Sequence, residues 1–248
     1  DVCSSDLNGQ RFGQVEFLPN PNGRCMVFEK PNRENCAINQ NGFYIPDNKQ
    51  SYCAGSDTYD HKLLSTATGN KFSLGSMVVL KKENAMNPTE TDNAPVFFYL
   101  FRPEDPEIFY EDTLMACWWY GCQNNIETQK PALINYYLKH NCQMFMPKHK
   151  NGTYGTPAST QNNFYIASIT ESYINSHINK VVFVELVDQW KKFKPEDTQE
   201  FDAAMAFGYA LQFMLEGKMQ YVAPVKPQEI GEVLSIMRRK SLNNRKYT

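Results

Sequence analysis

Three apolar runs of strand length constrain this chain more than anything else in it. Ser51–Ser56 (SYCAGS), Ser76–Lys82 (SMVVLKK) and Pro95–Arg102 (PVFFYLFR) are rich in small, β-branched and aromatic residues, the composition that suits a pleated, buried surface. Polar loops at Leu63–Gly69 and Glu83–Asn93 separate them, which predicts adjacent strands of an antiparallel meander. The residues that follow change rhythm. RPEDPE opens a helix over Pro106–Tyr120, with acids in its first turn where the helix dipole favours them. A brief strand at Cys122–Glu127 leads to a helix at Pro131–His140, with proline in its first turn, and then to a short apolar strand at Cys142–Met146. Helices are predicted at Asn162–His177, Val181–Phe193 and Thr198–Glu216, although VVFVEL alone also suits a strand, with a weaker helix at Pro227–Arg239.

This order predicts an α/β fold: a mixed sheet of three antiparallel strands, then parallel strands reached through helical crossovers, flanked by helices. It resembles the ribonuclease H-like order. Upstream, Gln14–Leu18 and Arg24–Glu29 flank the turn-rich PNPNG and read as a hairpin, and polar Pro31–Asn48 reads as a connector. The expected organisation is residues 8–50 as hairpin and linker, 51–217 as the main domain, and 218–248 as an extension. DVCSSDL, residues 1–7, looks like the translation of a sequencing-library adaptor and is expected to be no part of the natural protein.

Composition narrows the function classes. With 42% apolar and 21% charged residues over 248 positions, the chain is an ordinary soluble sequence, and no run approaches the ~20 apolar residues of a membrane span. Seven cysteines without CxxC pairs read as reduced, structural residues in a cytoplasmic setting. Net charge is −2, but the last eleven residues hold five basic side chains and no acid, leaving 20 basic and 27 acidic residues in the body. An acidic body argues against a general nucleic-acid sponge and suits an acidic metal site, with the basic tail available for phosphate contacts or simply solvated.

Three acids stand where such a fold delivers side chains to one place. Asp57 ends the first strand of the meander, Glu127 follows apolar Ile126 at the end of the fourth strand, and Asp202 lies in a late helix. Phosphodiester hydrolysis needs an activated water, charge neutralisation and help for the leaving oxygen, which two Mg²⁺ or Mn²⁺ ions supply. Such hard cations take oxygen ligands, so a few carboxylates suffice. Each acid also has a plain structural reading. A lone aspartate after a strand is commonly a turn or cap residue, and Glu127 before a proline-led helix can serve its dipole. Asp202 is explained least well this way, because Asp197 and Glu200 form a capping-box-like pair that leaves Asp202 one turn inside the helix. The small residues after it (Ala203, Ala204, Ala206, Gly208, Ala210) let the helix pack close to the sheet. Asp60 and His61 are secondary candidates, as a fourth ligand or a proton-handling group, or else a solvated pair. Asp188 is the rival to Asp202, read as an exposed helix acid.

GSDTYDH, YLFRP, NNIETQKPALINYYL and FDAAMAFGYAL, together with GTYGTPAST and VELVDQWKKF, resemble the nuclease half of a tailed-bacteriophage terminase large subunit. The likeness runs over roughly Gln50–Leu215. It implies a metal-dependent endonuclease domain that cuts concatemeric double-stranded viral DNA, with Asp57, Glu127 and Asp202 holding Mg²⁺ or Mn²⁺, expected as two ions. It also implies portal and small terminase subunit as partners of the full-length protein, and the cytoplasm of an infected bacterial host as the location. The family carries an ATPase domain as well. The sequence has no GxxxxGK[ST], so that domain is expected upstream of the stretch in hand. Arg102, Lys148 and Lys150 are the candidate DNA contacts, each equally readable as a solvated charge. Two other readings stay open: another ribonuclease H-like nuclease of junction resolvase or integrase type, and a non-catalytic DNA or portal docking module.

Overall fold

The computed structural model describes residues 15–32, 37–38, 44–45, 47–59, 73–149 and 152–219. The expectations for Asp1–Leu7, the Leu63–Gly69 loop, the Pro227–Arg239 helix and the basic tail, and the candidates Asp60, His61 and Lys150, lie outside these residues. One compact unit runs to Met214, and a second begins at Leu215.

The strands in chain order are β1 (Cys25–Val27), β2 (Ala37–Ile38), β3 (Tyr44–Ile45), β4 (Tyr52–Asp57), β5 (Gly75–Lys81), β6 (Pro95–Phe101) and β7 (Gln123–Ile126). The helices are α1 (Pro106–Tyr120), α2 (Ala132–Lys139), α3 (Thr160–His177), α4 (Val184–Trp190) and α5 (Asp202–Met219). Five strands make one sheet in the order β1-β6-β5-β4-β7, while β2 and β3 form a separate antiparallel pair. The meander is as expected: β4 is antiparallel to β5 and β5 to β6. β7 returns parallel to β4 after α1, so the sheet is mixed and flanked by helices. Cys25–Val27, read as half of a hairpin, joins this sheet antiparallel to β6. The expected strand at Cys142–Met146 is a 3-10 turn over Gln143–Phe145. Its aromatic and sulfur side chains, Phe145 and Met146, are buried beneath the sheet edge without joining a ladder.

β4 is buried along its whole length, and alternation sorts its side chains between two layers. Tyr52 and Ala54 join Met77 and Val79 of β5 in the core under α1 and α2. Cys53, Gly55 and Asp57 point to the other face, where α5 lies: the Cys53 thiol donates to the Ala210 carbonyl at 3.7 Å. Helix α1 is well specified locally. The Asp105 side chain accepts from the Glu107 amide, Pro106 opens the first turn, and Gly121 closes the helix in the left-handed region at φ 62°.

The small residues of α5 work as expected. A Cβ at Gly55 would stand 2.2 Å from Ala210 N and 2.3 Å from the Ala206 carbonyl, so strand and helix backbones meet with nothing between them. On the far side, a Cβ at Gly208 would stand 2.2 Å from Ile166 Cγ2 of α3. Phe207 packs edge-on against Tyr173 and Trp190, which brings α3 and α4 over α5. No helix among the described residues is long and apolar enough to cross a membrane.

Candidate functional site

The parallel register of β4 and β7 sets two acids side by side. Ser56 is level with Ile126, and the Glu127 amide donates to the Ser56 carbonyl at 3.3 Å, so Asp57 and Glu127 leave the sheet together at its carboxyl-terminal edge. That edge, where neighbouring strands end and their connections diverge, is where open α/β sheets place ligands. Both side chains are buried, at 7% and 4% exposure, and the two carboxyls are close enough to hydrogen-bond.

Asp202 comes from a different position than its sequence suggests. The helix starts at Asp202 itself, rather than at Thr198 under an Asp197 cap. Its amino terminus is capped from another element: Gln189 Oε1 of α4 accepts from Ala203 N at 2.8 Å and Ala204 N at 3.1 Å. Asp202 is thereby spared for contacts across the site. Its Oδ1 accepts from Ser73 Oγ at 2.7 Å and its Oδ2 from the Leu74 amide at 3.0 Å. These two residues lead into β5, whose Ser76 is paired with Asp57.

Electrostatics couples the three acids. Burial pushes the Asp57 carboxyl well above the usual carboxylate range. Lys130 opposes that shift, whereas the charges of Asp202 and Glu127 and the hydrogen bond with Glu127 add to it. Burial also raises Asp202, against the hydrogen bonds from Leu74 and Ser73.

Lys130 was not singled out from the sequence, and it completes the cluster. Its Nζ is 3.8 Å from Asp57 Oδ1 and 3.9 Å from Glu127 Oε2, and it donates to the Thr58 carbonyl at 2.6 Å. The signal was present as the ExxK spacing in NNIETQKP, which returns a lysine to its own glutamate through a tight turn. Ser73 and Gln189 carry no comparable sequence signal.

The remaining candidates are dispersed. The Arg102 guanidinium donates to the Ser73 carbonyl and lies 4.3 Å over the Tyr59 ring, so it stands one residue removed from Asp202. Lys148 is exposed on a loop pinned by a Lys148–Tyr154 bridge, and the loop's return at Thr156 pairs with Glu127. Asp188 is exposed and paired with Lys191 at 3.0 Å, as its sequence reading expected.

Among the described residues no group of three or more His, Cys, Asp and Glu side chains is placed so that it could hold a metal ion. The donor set nevertheless suits a hard divalent cation. Asp57 and Glu127 offer oxygen only, sit in mutual repulsion with Asp202, and are partly neutralised by one ammonium.

No family model matches the sequence, and no similar curated protein was found. Solved structures are similar in fold. The large terminase nuclease from thermophilic phage G20c, described with bound zinc, aligns with a TM-score of 0.50 at 12% identity, over 80% of this chain and 91% of that one. The large terminase nuclease domain of Thermus phage P74-26 aligns with a TM-score of 0.47 at 12% identity, over 79% and 89%. The chain therefore shares its fold with the large terminase nuclease from phage G20c.

Proposed function

We propose that this chain is the metal-dependent endonuclease domain of a viral DNA-packaging terminase large subunit, cutting concatemeric double-stranded DNA. One observation carries the reading: buried Asp57 and Glu127 leave adjacent parallel strand ends, and buried Asp202, held on the residues that lead into β5, adds its charge to that of Glu127 on Asp57. Burying like charges together is costly, and a divalent cation offsets that cost. Asp57, Glu127 and Asp202 would hold Mg²⁺ or Mn²⁺. When bound, such ions lower the pKa of a coordinated water and neutralise charge on the phosphate.

The chain's own residues do the rest. Ser73 and Leu74 orient the Asp202 carboxylate through two hydrogen bonds. Adjacent strand ends hold Asp57 and Glu127 at fixed spacing, and their burial strengthens every charge interaction at the site. Arg102, Lys148 and Lys150 serve as phosphate contacts along the duplex, and such contacts carry no base specificity. In the full-length protein, portal and small terminase subunit are the partners, in the cytoplasm of the infected host.

The test is plasmid cleavage by the 248-residue chain in Mg²⁺ or Mn²⁺. Asp57→Ala and Asp202→Ala are each expected to lose at least about 100-fold in rate. Mn²⁺ at 100 times its Kd is expected to raise the wild-type Tm by about 5–10 °C, since it adds about 2.7 kcal/mol; the shift disappears in both variants. Full activity in either variant removes the assignment. Branched DNA cut much faster than linear duplex moves the reading to a junction resolvase.

A further inference from the structure

We propose that Lys130 is a further catalytic residue, its ammonium donating to a non-bridging oxygen of the scissile phosphate; this rests on the nuclease reading above. At 3.8 and 3.9 Å from Asp57 and Glu127, the ammonium is too far for hydrogen bonds to either oxygen. It attracts both acids without spending a proton on them. Of its three N–H donors, one goes to the Thr58 carbonyl, which leaves two for an incoming oxygen.

Lys130 is also held in place. Its own carbonyl accepts from Thr58 Oγ1 at 3.3 Å, so backbone and ammonium are both tied to the residue that follows Asp57. A surface lysine kept only for solubility has no need of such anchoring. Its side chain is 30% exposed against 10% for Asp57 and 6% for Glu127. The lysine side chain is therefore the most solvent-accessible of the three, and a backbone phosphate of a duplex approaching the acids from solvent would meet it.

Charge makes the contact selective for the transition state. During hydrolysis the water oxygen bonds to phosphorus and the bond to the leaving sugar oxygen breaks. The attacking water gives up a proton to solvent, and the leaving oxygen takes one up. Lys130 keeps its own protons throughout. The non-bridging oxygens gain negative charge on the way, so a fixed ammonium beside them binds the transition state more strongly than the ground state.

The experiment compares wild type, Lys130→Met and Lys130→Arg in the full chain by three measurements: single-turnover plasmid cleavage in Mg²⁺, the salt dependence of duplex binding in Ca²⁺, and calorimetric Mn²⁺ binding without DNA. Lys130→Met is expected to slow cleavage about 100- to 1,000-fold. It should also flatten the log–log salt slope by about 0.9, the value of one lost phosphate contact, and bind Mn²⁺ at least as tightly as wild type. Lys130→Arg is expected to restore the slope and part of the rate. Should the methionine variant fold poorly, Lys130→Gln provides the same comparison. Wild-type cleavage and slope in the neutral variant overturn the proposal, as does loss of Mn²⁺ binding, which would make Lys130 a support for the acids alone. If wild type itself neither binds Mn²⁺ nor cuts, the nuclease reading falls and takes this proposal with it.

Discussion

Replacing Gly55 by alanine adds one methyl group where the backbones of β4 and α5 meet. That methyl would stand 2.2 Å from Ala210 N, 2.3 Å from the Ala206 carbonyl and 2.8 Å from the Tyr209 carbonyl carbon, all backbone atoms of α5. No side chain can rotate away, so the helix or the strand must move. Reaching even 3.0 Å, below which real Cβ contacts essentially never occur, needs a retreat of about 0.8 Å. Overpacking of this kind costs about 1–3 kcal/mol, with backbone clashes at the upper end. Alanine returns about 0.4–1 kcal/mol by restricting the unfolded chain, which is too little to reverse the sign. The net loss of about 2 kcal/mol lowers Tm by about 4–8 °C in a domain this size. Asp202 begins the same helix, so its carboxylate moves with it, and a displacement near 1 Å costs about 100-fold in rate. Thermal melting followed by circular dichroism, together with plasmid cleavage, reads both effects. A Gly55→Ala protein that melts at or above the wild-type temperature refutes the backbone-to-backbone packing of β4 and α5.

Two further outcomes follow from the same geometry. Because the Asp57 carboxyl is raised in the folded, metal-free protein, the native state holds a proton that the unfolded chain, near 3.9 for a free aspartate, has released; stability therefore falls as pH rises above about 4. Asp57→Asn removes that loss, so its Tm should exceed wild type at neutral pH and converge with it towards pH 4; a variant that melts lower at pH 7 than at pH 4, relative to wild type, contradicts the buried-charge account. Gln189→Ala uncaps Ala203 N and Ala204 N, at about 1 kcal/mol or 2–4 °C in Tm; hydrogen exchange should quicken in the first turn of α5, and unchanged protection there would show that α4 does not cap it.

Local signals in the sequence carried as far as local causes reach. Helix α1 begins and ends where Asp105-Pro106 and Gly121 say it should, because caps act within a few residues. The meander was legible from three unbroken apolar runs, and the ends of β4 and β7 from the acids that stop them. The start of α5 was not legible, since the group that caps it belongs to α4 and reaches it only after both helices have packed. Met144 and its neighbours look like a strand, but with Gln123 donating its side-chain amide to the Met144 and Met146 carbonyls the segment is tied to the sheet edge without a ladder. For Lys130 the ExxK spacing in NNIETQKP carries its approach to Glu127, but its anchoring on Thr58 is a tertiary contact that no local pattern encodes. At the candidate site, the sequence supplied the acids and tertiary contacts supplied what orients them.

The dependence of Asp202 on α5 has a consequence in time. A chain emerging from the ribosome can pair β4 with β7, and so assemble Asp57 and Glu127, well before α5 has been made. Contacts between such distant segments form late and slowly. Until α5 settles on Gly55, a nascent chain carries only two of the three acids. The candidate site is thus complete only once the last described helix has docked, so its assembly reports the end of folding rather than its beginning.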